Sequence, residues 1–370
     1  MKQLKYTVRF NTPAFLGDAE QSGRWRTPPF KALLRQWWRV VVAKNFGYDH
    51  RRMREAEGRL FGNAWLEGDF SKSRIRMRLD RWDEGKLKKD RWQSLATVHH
   101  PDVKVPVGSD LYLGYGPVMP PGRGAKKTSL KANAAIQSDE TAELSLALPD
   151  KDAGYVEAAM ALMNAYGTLG GRSRNGWGSI SLLPLPQGEG RGEGDQHARL
   201  PNSAFRTWQE ALELDWPHAI GTDDEGPLIW QTQPIDDWKP LMKLLAEIKI
   251  GLRTQKPHFA FVLDAQAGDV PAKNGISHGR PQDRHWLSYP VTRHSVAAWG
   301  NNARMPNTLR FKVRPDTSDP QKLVGVIFHV PCRPPAAFNP DFSGITRAWR
   351  NVHGFLDGQV GPNGLTRIAE

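Results

Sequence analysis

Cysteine is almost absent from this chain. Cys332 stands alone among 370 residues, so no internal disulfide can staple the fold. Neither HExxH nor CxxC occurs, and a zinc site is not expected. There is no GxxxxGK[ST] phosphate loop, and no nucleophile motif frames any serine. No run nears the ~18 apolar residues of a membrane span. The opening MKQLKYTVRF enters a strand pattern directly, with no signal-peptide core. These absences set the expectation of a cytoplasmic protein with no membrane contact and no cofactor.

Acid is also scarce in one place. None occurs from Ala158 to Gly188, and in the middle lies GTLGGRSRNGWGS, Gly167 to Ser179, with five glycines and two arginines. Over the whole chain 51 Lys+Arg face 39 Asp+Glu, a formal net charge of +12. Such a balance favours a polyanion partner, nucleic acid first. The 14 tryptophans serve either as core and interface residues or as stacking platforms for bases.

The first half alternates strand and helix signals. Leu4 to Phe10 alternates apolar and polar residues and predicts a strand. Thr27-Pro28-Pro29 predicts a helix start, with Thr27 as cap. Phe30, Leu33, Leu34, Trp37, Trp38, Val41 and Val42 then keep helical spacing, and Lys31, Arg35 and Arg39 form a basic ridge beside that stripe. Ser73 to Leu79 predicts a second strand, with Arg74, Arg76 and Arg78 along one face. Like charges in that arrangement repel each other and suit an anion. Glu143 to Leu148, Asp152 to Tyr166, and Ser179 to Leu183 predict strand, helix, strand. The order is βαββαβ, that of a ferredoxin-like unit, with a long insertion at about 80–140 that carries the basic loop PPGRGAKKTSLK.

The glycine-rich stretch then joins the second helix to the last strand. Glycine permits positive φ and close backbone approach, and free loop N–H groups with Arg172 and Arg174 would suit phosphate oxygens. A tight structural turn is the alternative reading.

GTLGGRSRNGWGSISL resembles the glycine-rich signature of the RAMP superfamily of CRISPR-associated proteins. YTVRFNTPAFLGDAEQ, RWRTPPFKALLRQWWRV, EAEGRLFGNA, LSYPV and RMPNTLRFKV resemble segments of the family of the first subunit of the Cmr, type III-B, effector complex. Ala32 and Gly17-Asp18 depart from that pattern. The resemblance implies an α+β chain of two ferredoxin-like domains, the second degraded. Residues 1–185 would form the first, 186–215 a flexible low-complexity linker, and 216–370 the second. It also implies a non-catalytic subunit that holds the 3′ part of a guide RNA and the paired target RNA, beside other RAMP subunits. The alternative is a RAMP endoribonuclease that matures guide RNA. Asp18 and Glu20 occupy the loop where some relatives carry a catalytic acid.

In the second half, Asp236 to Leu252 predicts a helix and Phe259 to Leu263 a buried strand. Leu309, Phe311 and Val313 alternate with Arg310, Lys312 and Arg314, a strand expected to pair with Lys322 to Val330. Gly268 to Arg304 reads as irregular, with His278, His285 and His294 inside it. The expected RNA contacts are Arg24, Arg26, Lys31, Arg35, Arg39, Arg74, Arg76, Arg78, Lys126, Lys127, Gly170, Gly171, Arg172, Arg174, Asn175, Gly176, Trp177 and Arg304. Trp177 is either a stacking platform or a packing residue.

Overall fold

A computed structural model of the chain describes residues 1–20, 22–65, 70–124, 127–185, 200–273, 275–300, 302–361 and 364–368. Lys126 therefore lies outside the described residues.

Strand β1, Lys2–Phe10, runs down the middle of the first half. Helix α1, Thr27–Val42, follows. Its cap is Arg26, which makes no side-chain capping bond, so Thr27 is the first helical residue and not the expected cap. Prolines in the first turn need no N–H donor there. Helix α2, His50–Phe61, was not foreseen. Asp49 caps it, accepting from the N–H of Arg51 at 2.9 Å. Strand β2 is Arg76–Leu79, β3 is Thr141–Leu148, and α4, Ala153–Tyr166, leads to β4, Ile180–Pro184. Between β2 and β3 the chain forms short two-residue pairings and helix α3, Ser109–Gly114. The sheet order is β4-β1-β3-β2, antiparallel throughout. Alternation works as the sequence implies: Leu4, Val8 and Phe10 are buried under α1 and α4, while Arg74, Arg76 and Arg78 stay exposed.

The second half repeats this order. Strand β5, Ile229–Gln231, is followed by α5, Trp238–Thr254, then β6, Leu309–Pro315, and β7, Leu323–His329. Helix α6, Phe342–Asp357, and β8, Thr366–Arg367, complete it. The sheet order is β6-β7-β5-β8, the same as in the first half. The described part of the expected linker, 200–215, holds the bridge-forming Phe205–Thr207 and a helical turn at Trp208–Ala211, with Trp208 buried.

Two expectations in the second half fail. Phe259 to Leu263 is not a strand. Phe259 is buried, but Val262 and Leu263 are exposed, so the run has no second face to bury. The segment read as irregular contains a small sheet of Val270–Ala272, Gly275–His278 and His294–Val296.

The halves share a core. Phe328 on β7 meets the rings of Tyr166 and Trp37 at 4.8 and 6.3 Å. One face of the second sheet thus closes on the helices of the first half. Arg310 pairs with Phe328, and Lys312 with Val326, so these two cations lie on that same inward face. Two of the three cations in the basic row of β6 are therefore buried and form no surface: Lys312 has no exposed area and Arg310 only 9%, while Arg314 is half-buried.

Candidate nucleic-acid interface

The glycine loop runs from Gly167 to Ser179 along residues 12–15. The N–H groups of Gly171 and Gly178 donate to the carbonyls of Phe15 and Pro13 at 3.0 and 2.9 Å, and that of Gly176 to Ser173. Thr12 Oγ1 donates to the Gly176 carbonyl at 2.7 Å. These N–H groups serve the fold, so they do not cradle phosphate as expected. The glycines are required by the turn itself. Gly178 has φ +64°, and a Cβ there would stand 1.9 Å from the Leu169 carbonyl oxygen. Gly170 has φ +93° and lies against Phe15 O.

The loop also completes the second sheet. Strand β6 is at a sheet edge, and its free N–H groups need acceptors. Phe311 N donates to the Arg174 carbonyl at 3.0 Å and Val313 N to Ser179 Oγ at 2.8 Å. Asn11 Nδ2 donates to the Val313 carbonyl at 3.0 Å.

Trp177 has no exposed area. Its ring meets Phe15 at 5.2 Å, and Trp92 and Trp238 at 6.0 Å each. Of the two readings offered by the sequence, packing is the one observed. No base can reach this ring in the folded chain.

The arginines of the loop diverge. Arg172 is exposed and donates from Nε to the Tyr115 carbonyl at 2.6 Å. Next to it stands Lys249 of α5, whose Nζ donates to Asn175 Oδ1 at 2.5 Å. Asn175 Nδ2 in turn donates to the Leu113 carbonyl at 2.6 Å. One helical turn on, Arg253 donates to Ser288 Oγ at 2.8 Å, and Arg284 pairs with Asp102 at 2.8 Å. Burial, and then Arg253 and Arg172, bring Lys249 down to about 7. Burial and Arg284 lower Arg253, with Tyr112 opposing. Arg172 and Arg253 act on Lys249, and Arg284 acts on Arg253, so these four cations form one run, with Asp102 as its one ion-pair partner among the described residues. Lys249, Arg253 and Arg284 were missed in the sequence. The i, i+4 spacing of Lys249 and Arg253 beside the apolar stripe of α5 was the available signal.

The other expected contacts are scattered. Arg35 and Arg39 both bind Glu57 of α2, Arg35 Nε at 2.5 Å and Arg39 Nη2 at 2.7 Å from Oε1. Glu57 is buried, so this ridge is an ion-pair cluster clamping α1 to α2. Lys31 is held below its ordinary value by burial and Arg35. Arg24 lies 3.3 Å from Asp18 Oδ2, and Arg26 is half-buried. Arg74, Arg76 and Arg78 line the outer edge of the first sheet, and Lys127 and Arg304 are exposed elsewhere. The exposed Arg51, Arg52, Arg54 and Arg59 of α2 add basic surface that the sequence reading had passed over.

Asp18 is committed to its own turn. Oδ1 accepts from the N–H of Glu20 and of Ser22, at 2.9 Å each. His278 Nδ1 faces Asp269 Oδ2 at 2.7 Å, and His278 Nε2 faces His294 Nδ1 at 3.0 Å. Phe261 stacks on His294 at 3.7 Å. Among the described residues no cluster of His, Cys, Asp and Glu is arranged to hold a metal ion. Nor, among the described residues, is any helix long and apolar enough to cross a membrane.

A twice-repeated βαββαβ order, with a glycine loop before the last strand of the first sheet and a run of cations beside it, defines an α/β fold of two like sheets. Residues 8–181 match the RAMP superfamily. A crystal structure of apo Cmr1 from Pyrococcus furiosus aligns at TM-score 0.46 and 14% identity, over 99% of this chain and 98% of that one. A cryo-EM structure of type III-B Cmr-beta bound to cognate target RNA aligns at 0.46 and 12%, over 95% and 99%. A second, which also has AMPPnP and single-stranded DNA, gives 0.45 and 12%, over 95% and 98%. No curated protein matches.

Proposed function

We propose that this chain is a non-catalytic RNA-binding subunit of a type III-B CRISPR effector complex. It holds the 3′ part of a guide RNA and the target RNA paired with it, beside other RAMP subunits, in the cytoplasm. On this reading residues 1–185 and 216–370 are two ferredoxin-like domains, the first with its insertion at about 80–140. The observation that carries the proposal is the cation run Arg172, Lys249, Arg253 and Arg284 beside the glycine loop, with a single carboxylate partner. Desolvated cations of this kind are costly without an anion, and a phosphate backbone supplies one at regular intervals. Such contacts position RNA without reading its sequence, which leaves specificity to base pairing. The absence of a catalytic role is supported by Asp18, whose carboxylate is engaged in its own loop.

The test is single-stranded RNA binding across a salt series, with wild type beside Arg172→Ala/Lys249→Ala. Each lost phosphate contact lowers the slope of log K against log salt by ~0.7. The proposal requires weaker binding and a slope shallower by up to ~1.4. Superimposed curves would remove the cation run from RNA binding. Incubation of the wild type with repeat RNA in EDTA tests the second clause: specific cleavage would make the chain a nuclease.

A further inference from the structure

The second arginine of the glycine loop goes elsewhere. Arg174 is exposed, and its carbonyl accepts from the Phe311 N–H of β6, which sets it beside Arg310 along the chain of that strand. Arg310 is 9% exposed and lies on the inward face of the second sheet. Its Nε is buried with no hydrogen-bond partner. Neither guanidinium has an ion-pair or hydrogen-bond partner among the described residues. The titratable groups nearby are the Cys332 thiol, which burial pushes up to about 11, and His329, which burial, His353 and Arg310 hold well below its ordinary value, so neither carries charge at neutral pH; Asp215 acts on Cys332. Burial and Arg174 together pull Arg310 down to about 10.

The neighbouring buried cations differ. Lys312 has backbone carbonyls, Arg284 has Asp102, and Lys249 has Asn175. Arg174 and Arg310 are brought side by side by the Asn175–Phe311 bridge, and neither guanidinium has an acceptor among the described residues. Two guanidiniums side by side offer paired donors of the geometry that phosphate oxygens take. Arg174 is exposed to solvent, and Arg310 is 9% exposed.

We propose that Arg174 and Arg310 form a site for one phosphate group, with one arginine from each half of the chain. The ligand chemistry is that of a phosphate mono- or diester, from an RNA backbone or from a free phosphate. The bound anion would stitch the glycine loop to β6. Only the source of the phosphate depends on the function proposed above.

The full chain is heated in inorganic phosphate and, at equal ionic strength, in chloride. Phosphate binding to the folded state raises the melting temperature by mass action, and a rise of a few degrees is expected in the wild type. Arg310→Gln loses that rise, yet melts in chloride no lower than the wild type, because it removes an unpaired buried charge. Arg174→Gln, at an exposed position, loses the rise as well and guards against a folding defect at 310. No rise in the wild type, or an equal rise in both variants, overturns the site. Single-stranded RNA binding then distinguishes the source. A slope lower by ~0.7 in Arg310→Gln assigns the phosphate to RNA, and unchanged RNA binding assigns it to a free phosphate. A wild type that binds no RNA at all would sink the proposed function while leaving the phosphate-dependent rise standing.

Discussion

Lys312 Nζ donates to the carbonyl oxygen of Asn164 at 2.6 Å. The same nitrogen reaches Ile180 O at 2.6 Å and Gly167 O at 3.0 Å. A side chain of the second half thus closes the C-terminus of α4 and the start of the glycine loop. The helix end carries partial negative charge and orphan carbonyls, which this nitrogen satisfies. Burial pulls Lys312 well below its ordinary value. Lys312→Met should cost ~2–4 kcal/mol, since several buried acceptors lose their donor at once. Chemical denaturation measures this, and a loss under ~0.5 kcal/mol would show that the carbonyls find other donors.

Lys249 should make RNA binding depend on pH. Its free-state value is about 7, and a phosphate beside it favours the charged form. Binding therefore takes up a proton above pH 7, so affinity falls as pH rises from 7 toward 9. The slope of log K against pH approaches −1 at most for one proton. Lys249→Gln should flatten that slope while leaving its value at pH 9 close to the wild type. An unchanged slope in the variant would place the titrating group elsewhere.

Trp177 is a packing residue, so its substitutions act on stability. Trp177→Ala should destabilise by ~3–5 kcal/mol. Trp177→Phe retains most of the contact with Phe15, Trp92 and Trp238, and should bind single-stranded RNA within about twofold of the wild type. A selective loss of RNA affinity in a stably folded Trp177→Phe protein would restore the stacking role.

The buried histidines should make the protein acid-sensitive. Burial, then neighbouring charge, lowers His285 to about 3, His294 to about 4 and His353 to about 3, from an ordinary 6.5. Below 6.5 the unfolded chain binds protons that the folded chain refuses, so stability falls as pH falls. The loss begins near 6.5 and continues toward 4. Melting temperature measured from pH 8 to pH 4 should be flat at first and then decline. His294→Gln removes one of the titrating groups and should lessen the decline.

Glu57 is the counter-charge for Arg35 and Arg39. Glu57→Gln leaves two cations facing each other at the α1–α2 contact. The cost should be ~1–3 kcal/mol, below that of a fully buried pair because both arginines keep partial solvent contact. RNA affinity should not fall, since the variant frees positive charge. A drop in affinity with unchanged stability would return Arg35 and Arg39 to the RNA-contacting set.

The local pattern was legible where a single element decides burial. The alternation in β1 and β3, the helical stripe of α1, and the pairing of β6 with β7 follow from side-chain period alone. Phe259 to Leu263 was misread because a short apolar run carries no period, and its burial depends on whether another element covers it. Helix α2 was missed because its arginines and glutamates obscure a narrow apolar face, Met53, Leu60 and Phe61.

Charge was less legible than pattern, because the sequence shows the sign of a residue and not its partner. The rows Arg74, Arg76, Arg78 and Arg310, Lys312, Arg314 look alike in the sequence. Arg76 and Arg78 of the first lie on the edge strand β2 and stay exposed, with Arg74 just before it. The second is pressed against the first half, where Lys312 meets carbonyls and Arg310 meets Arg174. By itself the sequence determined the order of the first sheet's four strands and of α1 and α4, the position of the glycine turn and the excess of positive charge. These depend on neighbours within a few residues. Which cations form the run, which are buried, and that Trp177 is hidden were decided by the packing of two halves far apart along the chain. Burial and pairing are properties of such contacts, and local spacing does not encode them.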